Sequence, residues 1–359
     1  MESSRKSWLL SCFSRLAVFG VLAYITLIVA ALLIGQATPR QAILFVSNRD
    51  GTNKLYRLDI ARNITRKLSD QPVIACCPVW SADGLRIAFL SIDESAAKIF
   101  LIDADGGHLH RLTHEKSTNE GSLVWSPDSQ EVAFVFVSLL TSRSSIFITA
   151  VKTGETRPLT EEFANDFAPV WSPDGTRILL ASDVSINGTS RLDDSELFDV
   201  KPDGTDRRQI TNNASLDSAA AYSPDGKYII YTTTPPDYIP ISIYRMEADG
   251  GHPLLITDQD VSRNTAPLWS PYGKRILFLS HRDGDVELFS TDADGKNLRQ
   301  LTANTVQDWL PAWSPDGSRI VFLSLRDSDS AAYLMDANGD HARRLTPYPS
   351  DDTFVTWEP

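Results

Sequence analysis

A short motif, W-S-x-D-G or a near relative, begins at Trp80, Trp125, Trp171, Tyr222, Trp269 and Trp313, with successive spacings of 45, 46, 51, 47 and 44 residues. A broken copy closes the sequence at Trp357. An even period of this size means that one supersecondary unit is being stacked, because a single unit cannot bury its own apolar faces. Residues 274–317 show the unit whole: KRILFLS, HRDGD, VELFSTD, ADGKN, LRQLT, then a loop leading into LPAWSPDG. Runs of about five or six residues rich in Ile, Leu, Val and Phe, bounded by Gly, Pro and Asp turns, read as strands. With the tryptophan segment included, each unit supplies four antiparallel strands, the pattern of a propeller blade.

The second-strand run recurs seven times: ILFVS at 43–47, RIAFLS at 86–91, EVAFVF at 131–136, RILLAS at 177–182, YIIYTT at 228–233, RILFLS at 275–280 and RIVFLS at 319–324. The fold class expected is therefore all-β, a seven-bladed β-propeller of four-stranded blades. The sequence enters on a second strand and ends on a first strand. The segment from Thr353 to Trp357 is thus expected to complete the sheet begun by Ile43 to Val46, which removes the open edge.

Ahead of the propeller, Leu16 to Ile34 is a run of nineteen residues without a charge. As a helix it would reach about 28 Å, nearly the thickness of a bilayer core. Arg5, Lys6 and Arg15 precede it and only Arg40 follows, which by the positive-inside rule keeps the N-terminus in the cytoplasm. The expected division is a cytoplasmic N-terminus at 1–15, a transmembrane signal-anchor helix at 16–35, a linker at 36–42 and the propeller at 43–358. The protein would then be single-pass, with its propeller periplasmic or extracellular. A cleaved signal peptide is the competing reading, since Gly35-Gln36-Ala37 has the small-x-small form of a cleavage site. Cysteine usage fits either, because only Cys76 and Cys77 lie beyond the apolar run. Residues 1–40 carry a charge of +3, leaving −15 on the remainder of a chain whose total is −12. A domain that acidic repels phosphate backbones, which argues against nucleic acid as a partner.

These repeats resemble the TolB-type (PD40, WD40-like) propeller family, whose unit is similar to W-S-P-D-G-x-x-I-A-F-x-S, a D-G turn, I-Y-x-x-D-x-D-G-G and R-L-T. Ile99 to Asp105 with Gly106-Gly107 and Arg111-Leu112-Thr113 is a close copy. The resemblance implies an exported propeller used mainly for binding a protein or peptide. It also implies two alternatives. Some polysaccharide lyases resemble the repeat and hold a metal through histidines, which makes His114 and His281 the residues of a metal-dependent carbohydrate-active enzyme. Propellers of the prolyl oligopeptidase type resemble it as well, but carry their chemistry in a separate hydrolase domain. The sequence contains no G-x-S-x-G elbow, H-E-x-x-H pair or G-x-x-x-x-G-K-[ST] loop.

Within the repeat, Pro presets a turn, Asp caps free amides and Gly supplies the conformation other residues avoid. The D-A-D-G segments at Asp103–Gly106 and Asp292–Gly295 lack the further ligands of a calcium loop and read as hairpin turns. A less ordinary set stands five residues before each anchor: Ala75, Glu120, Asp166, Asp217, Asn264, Asp308 and Asp352. Where an outer strand hands over to the next inner strand, these should surround one mouth of the channel. Ringed carboxylates raise one another's pKa unless a cation sits among them. They are accordingly the candidates for receiving Ca2+ or a Lys/Arg segment, or else for capping their own loops. Insertions at Ser138–Ser145, Asp183–Asp194 and Thr234–Pro240 fall on the same face and bring Arg191, Asp193, Asp194 and Tyr238 forward as contacts for a protein, peptide or glycan.

Overall fold

A computed structural model describes residues 41–73, 78–93, 96–114, 118–138, 143–161, 165–183, 195–236, 240–257 and 262–359. Two compact units are distinguished, 1–41 and 42–359, and the second is a ring of seven antiparallel four-stranded sheets. The expected helix at 16–35 lies outside the described residues. Among those that are described, no helix is long and apolar enough to cross a membrane.

Blade 1 contains Val79–Trp80, Arg86–Asp93, Ala96–Asp103 and His110–Arg111, and blades 2 to 6 repeat that order from Thr118 to Arg344. Blade 7 is assembled from both ends of the propeller sequence. Its order is Asp352–Trp357, Ala42–Ser47, Lys54–Asp59 and Ile64–Lys67. The joining register pairs Ile43 with Trp357, Phe45 with Val355 and Ser47 with Asp352. Beyond it, Glu358 N–H donates to the Ala42 carbonyl at 3.0 Å, and the buried Glu358 carboxylate takes Arg57 Nε and Nη2 at 2.9 and 2.6 Å. The closure expected from the order of the repeats is the one observed.

The second strands are apolar along their central residues because successive side chains point to opposite faces and both faces are covered. In blade 1, Ile87 and Phe89 pack toward blade 7 with Leu44, Val46 and Leu55. Their neighbours Ala88 and Leu90 pack toward blade 2 with Trp125, Val132 and Phe134. The same division gives seven interblade cores that run in order around the ring and return to blade 7. Directly opposed aromatic pairs reinforce six blades: Phe45–Tyr56, Phe89–Phe100, Phe134–Phe147, Tyr231–Tyr244, Phe278–Phe289 and Phe322–Tyr333, with centroids 5.3–6.2 Å apart. Such a pair contributes about 0.5–1.5 kcal/mol beyond its buried area. First strands of neighbouring blades lie against one another while fourth strands keep to their own blade, so the first strands surround the axis.

Each signature residue of the repeat has a local cause. The Thr of the Leu-Thr segment accepts a third-strand N–H in six blades; Leu288 N–H to Thr302 Oγ1, at 2.9 Å, is one case. In the anchor motif the Ser hydroxyl donates to the Asp, as Ser314 does to Asp316 at 2.6 Å, and accepts the N–H five residues on. The D-x-D-G and N-G turns tuck against the preceding blade. A Cβ on Gly106 (φ +88) would stand 2.7 Å from the Leu68 carbonyl, and one on Gly339 (φ +92) 2.8 Å from that of Leu301. Close approach therefore accounts for the glycines of these turns.

Trp357 packs in the core shared by blades 6 and 7, and its indole N–H donates to the Ala312 carbonyl at 3.1 Å. Trp357→Ala is expected to lower the unfolding free energy in urea by about 3–5 kcal/mol. A change within the roughly 0.5 kcal/mol of an ordinary surface substitution would mean that the joining strand contributes little.

Candidate functional site

The residue five before each anchor lies at the junction of two blades. Its backbone N–H donates into the preceding blade, from Asp217 to Ser195 at 2.7 Å and from Asn264, Asp308 and Asp352 to Ile241, Val286 and Ser330 at 2.9 Å each. The six described side chains, Glu120, Asp166, Asp217, Asn264, Asp308 and Asp352, are only 0–4% exposed. Ala75 falls outside the described residues, as do Arg191, Asp193, Asp194 and Tyr238.

Each buried group meets partners of its own. Glu120 takes Lys98 Nζ at 3.2 Å, the Ile99 amide at 2.9 Å and the Thr113 hydroxyl. Asp166 is held by both terminal nitrogens of Arg207 at 3.0 and 2.9 Å. Asp217 accepts from Asn213 and from Thr233, each at 2.7 Å. Asp308 accepts from Asn304 and from Arg326, each at 2.8 Å, through one oxygen, while its Oδ1 is buried without a hydrogen-bond partner. The arrangement ties blades together, with cations drawn from the chain itself. Among the described residues, no three His, Cys, Asp or Glu side chains converge where one metal ion could be held.

Three of the clamping cations come from a motif that reading strand by strand passes over, S-x-R-D, at Ser47–Asp50, Ser280–Asp283 and Ser324–Asp327. The arginine follows the second strand and returns to the junction residue of its own blade: Arg49 to Asp352 at 3.3 Å, Arg282 to Asn264 at 3.3 Å and Arg326 to Asp308 at 2.8 Å. Its Nε donates to the serine hydroxyl at 2.9–3.1 Å. Its guanidinium also lies over the aromatic pair, 4.9 and 5.0 Å from Phe45 and Tyr56 in blade 7 and 5.3 and 4.8 Å from Phe322 and Tyr333 in blade 6. Where the third-strand aromatic is a tyrosine, its hydroxyl donates to the motif aspartate, holding Asp50 and Asp327 below the usual carboxylate range.

Blade 5 adds a second carboxylate. Glu287 opens the third strand, accepts the Asn304 N–H at 2.7 Å, and shares the Asn304 side chain with Asp308. Burial, and then the nearby Asp308 and Asp285 charges, raise its pKa. Glu196 with Asn213 and Asp217 repeats the geometry in blades 3 and 4, whereas blade 1 places Lys98 there and pairs it with Glu120. His108 is exposed and bonds Asp103 at 2.6 Å, which raises its pKa; His114 and His281 are exposed.

Two cavities open on the opposite face, at the anchor turns. One, of about 400 Å³, runs along the first strands of blades 5, 6 and 7, where Leu268, Trp269, Leu310, Pro311, Trp313 and Phe354 form an apolar strip. Leu310 is 39% exposed at a strand irregularity, with φ +48. The other, of about 540 Å³, lies between blades 3 and 4. Neither shows in the repeat pattern, because each is built where consecutive blades meet and no single unit displays it.

The family profile described as TolB beta propeller domain (PD40) matches residues 122–263 and 259–359. The chain belongs to the TolB β-propeller family. Among TolB relatives, the Tol-Pal system protein TolB of Francisella tularensis subsp. mediasiatica is 24% identical over 274 residues, covering 64% of this chain and 59% of that protein. This chain thus spans about three fifths of the length of the curated TolB proteins it matches. The TolB structure from Agrobacterium tumefaciens has 25% identity and a TM-score of 0.52 over 67% of this chain and 84% of its own. Likeness of fold alone extends further. An oligogalacturonate lyase from Vibrio parahaemolyticus (TM-score 0.66, 15% identity, 82% and 86% covered) shares it. So does the propeller of the Trilobed protease from Pyrococcus furiosus (TM-score 0.67, 17%, 87% and 96%), described as having an open velcro topology.

The acid pair at the junction of blades 5 and 6, Glu287 and Asp308, generates a pH signature. A carboxyl whose folded pKa is raised favours the native state when protonated, and that contribution is lost as pH climbs from the unfolded value, about 4.3, through the folded one. Glu287→Gln mimics the protonated form. Its thermal midpoint should therefore exceed that of the wild type at pH 7.5, and the gap should shrink toward pH 4.5. A constant gap at both pH values would show that Glu287 titrates normally.

Proposed function

We propose that this chain is a membrane-anchored, extracytoplasmic TolB-like propeller that binds a protein or peptide without altering it. The observation that carries the reading is the apolar strip on the first strands of blades 5, 6 and 7. An otherwise acidic domain leaves two tryptophans, three prolines, two leucines and a phenylalanine lining one groove. Aromatic and proline-lined grooves dock extended chains through their low-entropy backbones. Family membership supports the same class of role. The buried junction residues Glu120, Asp166, Asp217, Asn264, Asp308 and Asp352 would then serve indirectly, by holding the blades that shape the groove.

Exported placement is supported by the nineteen-residue uncharged run and the cations ahead of it. On intact spheroplasts, with Cys12, Cys76 and Cys77 replaced by serine, an impermeant maleimide should label a cysteine introduced at exposed Asp294 and spare one at Ser4. The reverse pattern would invert the topology.

A photoreactive phenylalanine analogue placed at position 310 is expected to cross-link a protein or peptide in living cells. Leu310→Glu should weaken capture of that same partner by about tenfold or more, equivalent to at least 1.4 kcal/mol. Cross-linking that yields no adduct, or capture indifferent to Leu310→Glu, would remove the strip as the binding surface.

A further inference from the structure

The cavity of about 540 Å³ between blades 3 and 4 exists where two residues break the repeat together. Six of the seven anchors are tryptophan and the seventh is Tyr222. At the blade 1–2 junction, Trp125 fills the wedge: its indole donates to the Val79 carbonyl at 3.1 Å, and Arg86 lies over its ring at 5.3 Å. At the blade 3–4 junction Arg177 occupies the place of Arg86 but has a smaller ring opposite. The second departure is Asp199. The same third-strand position is apolar in blades 1, 2 and 6, as Leu101, Ile148 and Leu334, and is Arg245, Ser290 and Arg57 in blades 4, 5 and 7; blade 3 alone puts a carboxylate there, and it is 1% exposed. Arg177 Nη2 and Arg208 Nε reach it at 2.7 and 2.8 Å, and Arg208 Nη2 completes a fork.

Replacing a wedge tryptophan and inserting a buried ion cluster both cost stability. Departures that converge on one void mark it as a site more than as a tolerated flaw. The lining states what fits. The guanidiniums of Arg177 and Arg208 oppose a simple cation, while the carboxylates of Asp174, Asp225 and Asp199 oppose a phosphate or other anion. The turn carboxylates Asp174 and Asp225 are held below the usual range by hydrogen bonds within their own turns and therefore remain ionised acceptors. Tyr222 and the prolines beside it supply flat apolar walls, and its hydroxyl, raised in pKa by burial, stays neutral.

From this lining we infer that the blade 3–4 cavity binds a neutral saccharide residue, separately from the protein or peptide on the channel strip. A sugar ring carries hydroxyls that donate to carboxylates and accept from guanidiniums, together with an apolar face for Tyr222. The volume falls within the roughly 300–1,000 Å³ usual for small-ligand sites.

Saturation-transfer NMR on the full chain tests this with glucose, galactose, mannose, N-acetylglucosamine and their β1,4-linked disaccharides as probes. Inorganic phosphate and methylguanidinium serve as charged counter-probes. At least one neutral sugar should bind. Tyr222→Trp, which restores the residue used by the other blades, should weaken that binding at least tenfold without lowering the thermal midpoint. Arg208→Gln, at a half-exposed side chain, should weaken it too and gives the same test should the tryptophan variant fold poorly. The inference is overturned if no sugar binds, if binding survives these variants, or if only phosphate or methylguanidinium binds in a Tyr222-dependent way. Position 310 lies outside this cavity, so failure here leaves the channel-strip reading to its own experiment.

Discussion

Every sheet of this protein is apolar on both faces, so no blade can satisfy its own surface. Ile87 and Phe89 need blade 7, while Ala88 and Leu90, on the same strand, need blade 2. Seven such dependencies make a ring, and a ring has to be joined. The joining contact is the pairing of Asp352–Trp357 with Ala42–Ser47, made between residues more than 300 positions apart. Loop-closure entropy opposes so distant a contact, and the offset comes from burial of Val355 and Trp357 and from the Arg57–Glu358 ion pair.

The architecture was legible because its cause is local. Alternating side chains in five- or six-residue runs, an anchor every 44 to 51 residues and glycine-bearing turns each report on one unit at a time. The site was less legible because its causes are not. Five acids at one repeat position invite the idea of a charged mouth, but sequence alone does not say that Arg207 lies on Asp166 or Arg326 on Asp308. Those cations stand 41 and 18 residues away, in segments that periodicity assigns to loops. The signal was present in S-x-R-D, repeated three times, and it acquires meaning only when the junction residue and the aromatic pair are placed under the arginine.

Tyr222 illustrates a different limit. In a motif comparison it counts as a near relative of tryptophan. In three dimensions, the difference between the two rings is read against Arg177 and Asp199 on the neighbouring blade, where Arg208 fixes the carboxylate and a cavity remains. Regular repeats make such a departure interpretable, since the other junctions show what the anchor ring does when it is a tryptophan.

Ala42–Ser47 is flanked on both sides by hydrogen-bonded partners, Lys54–Asp59 and Asp352–Trp357, each antiparallel to it. Tension entering the propeller through Gln41 would load both ladders in shear, stressing their bonds together instead of peeling them one after another. The strand that opens the propeller is thus a mechanical lock, and a propeller pulled by its leading end would resist rupture at the seam where its first and last strands meet.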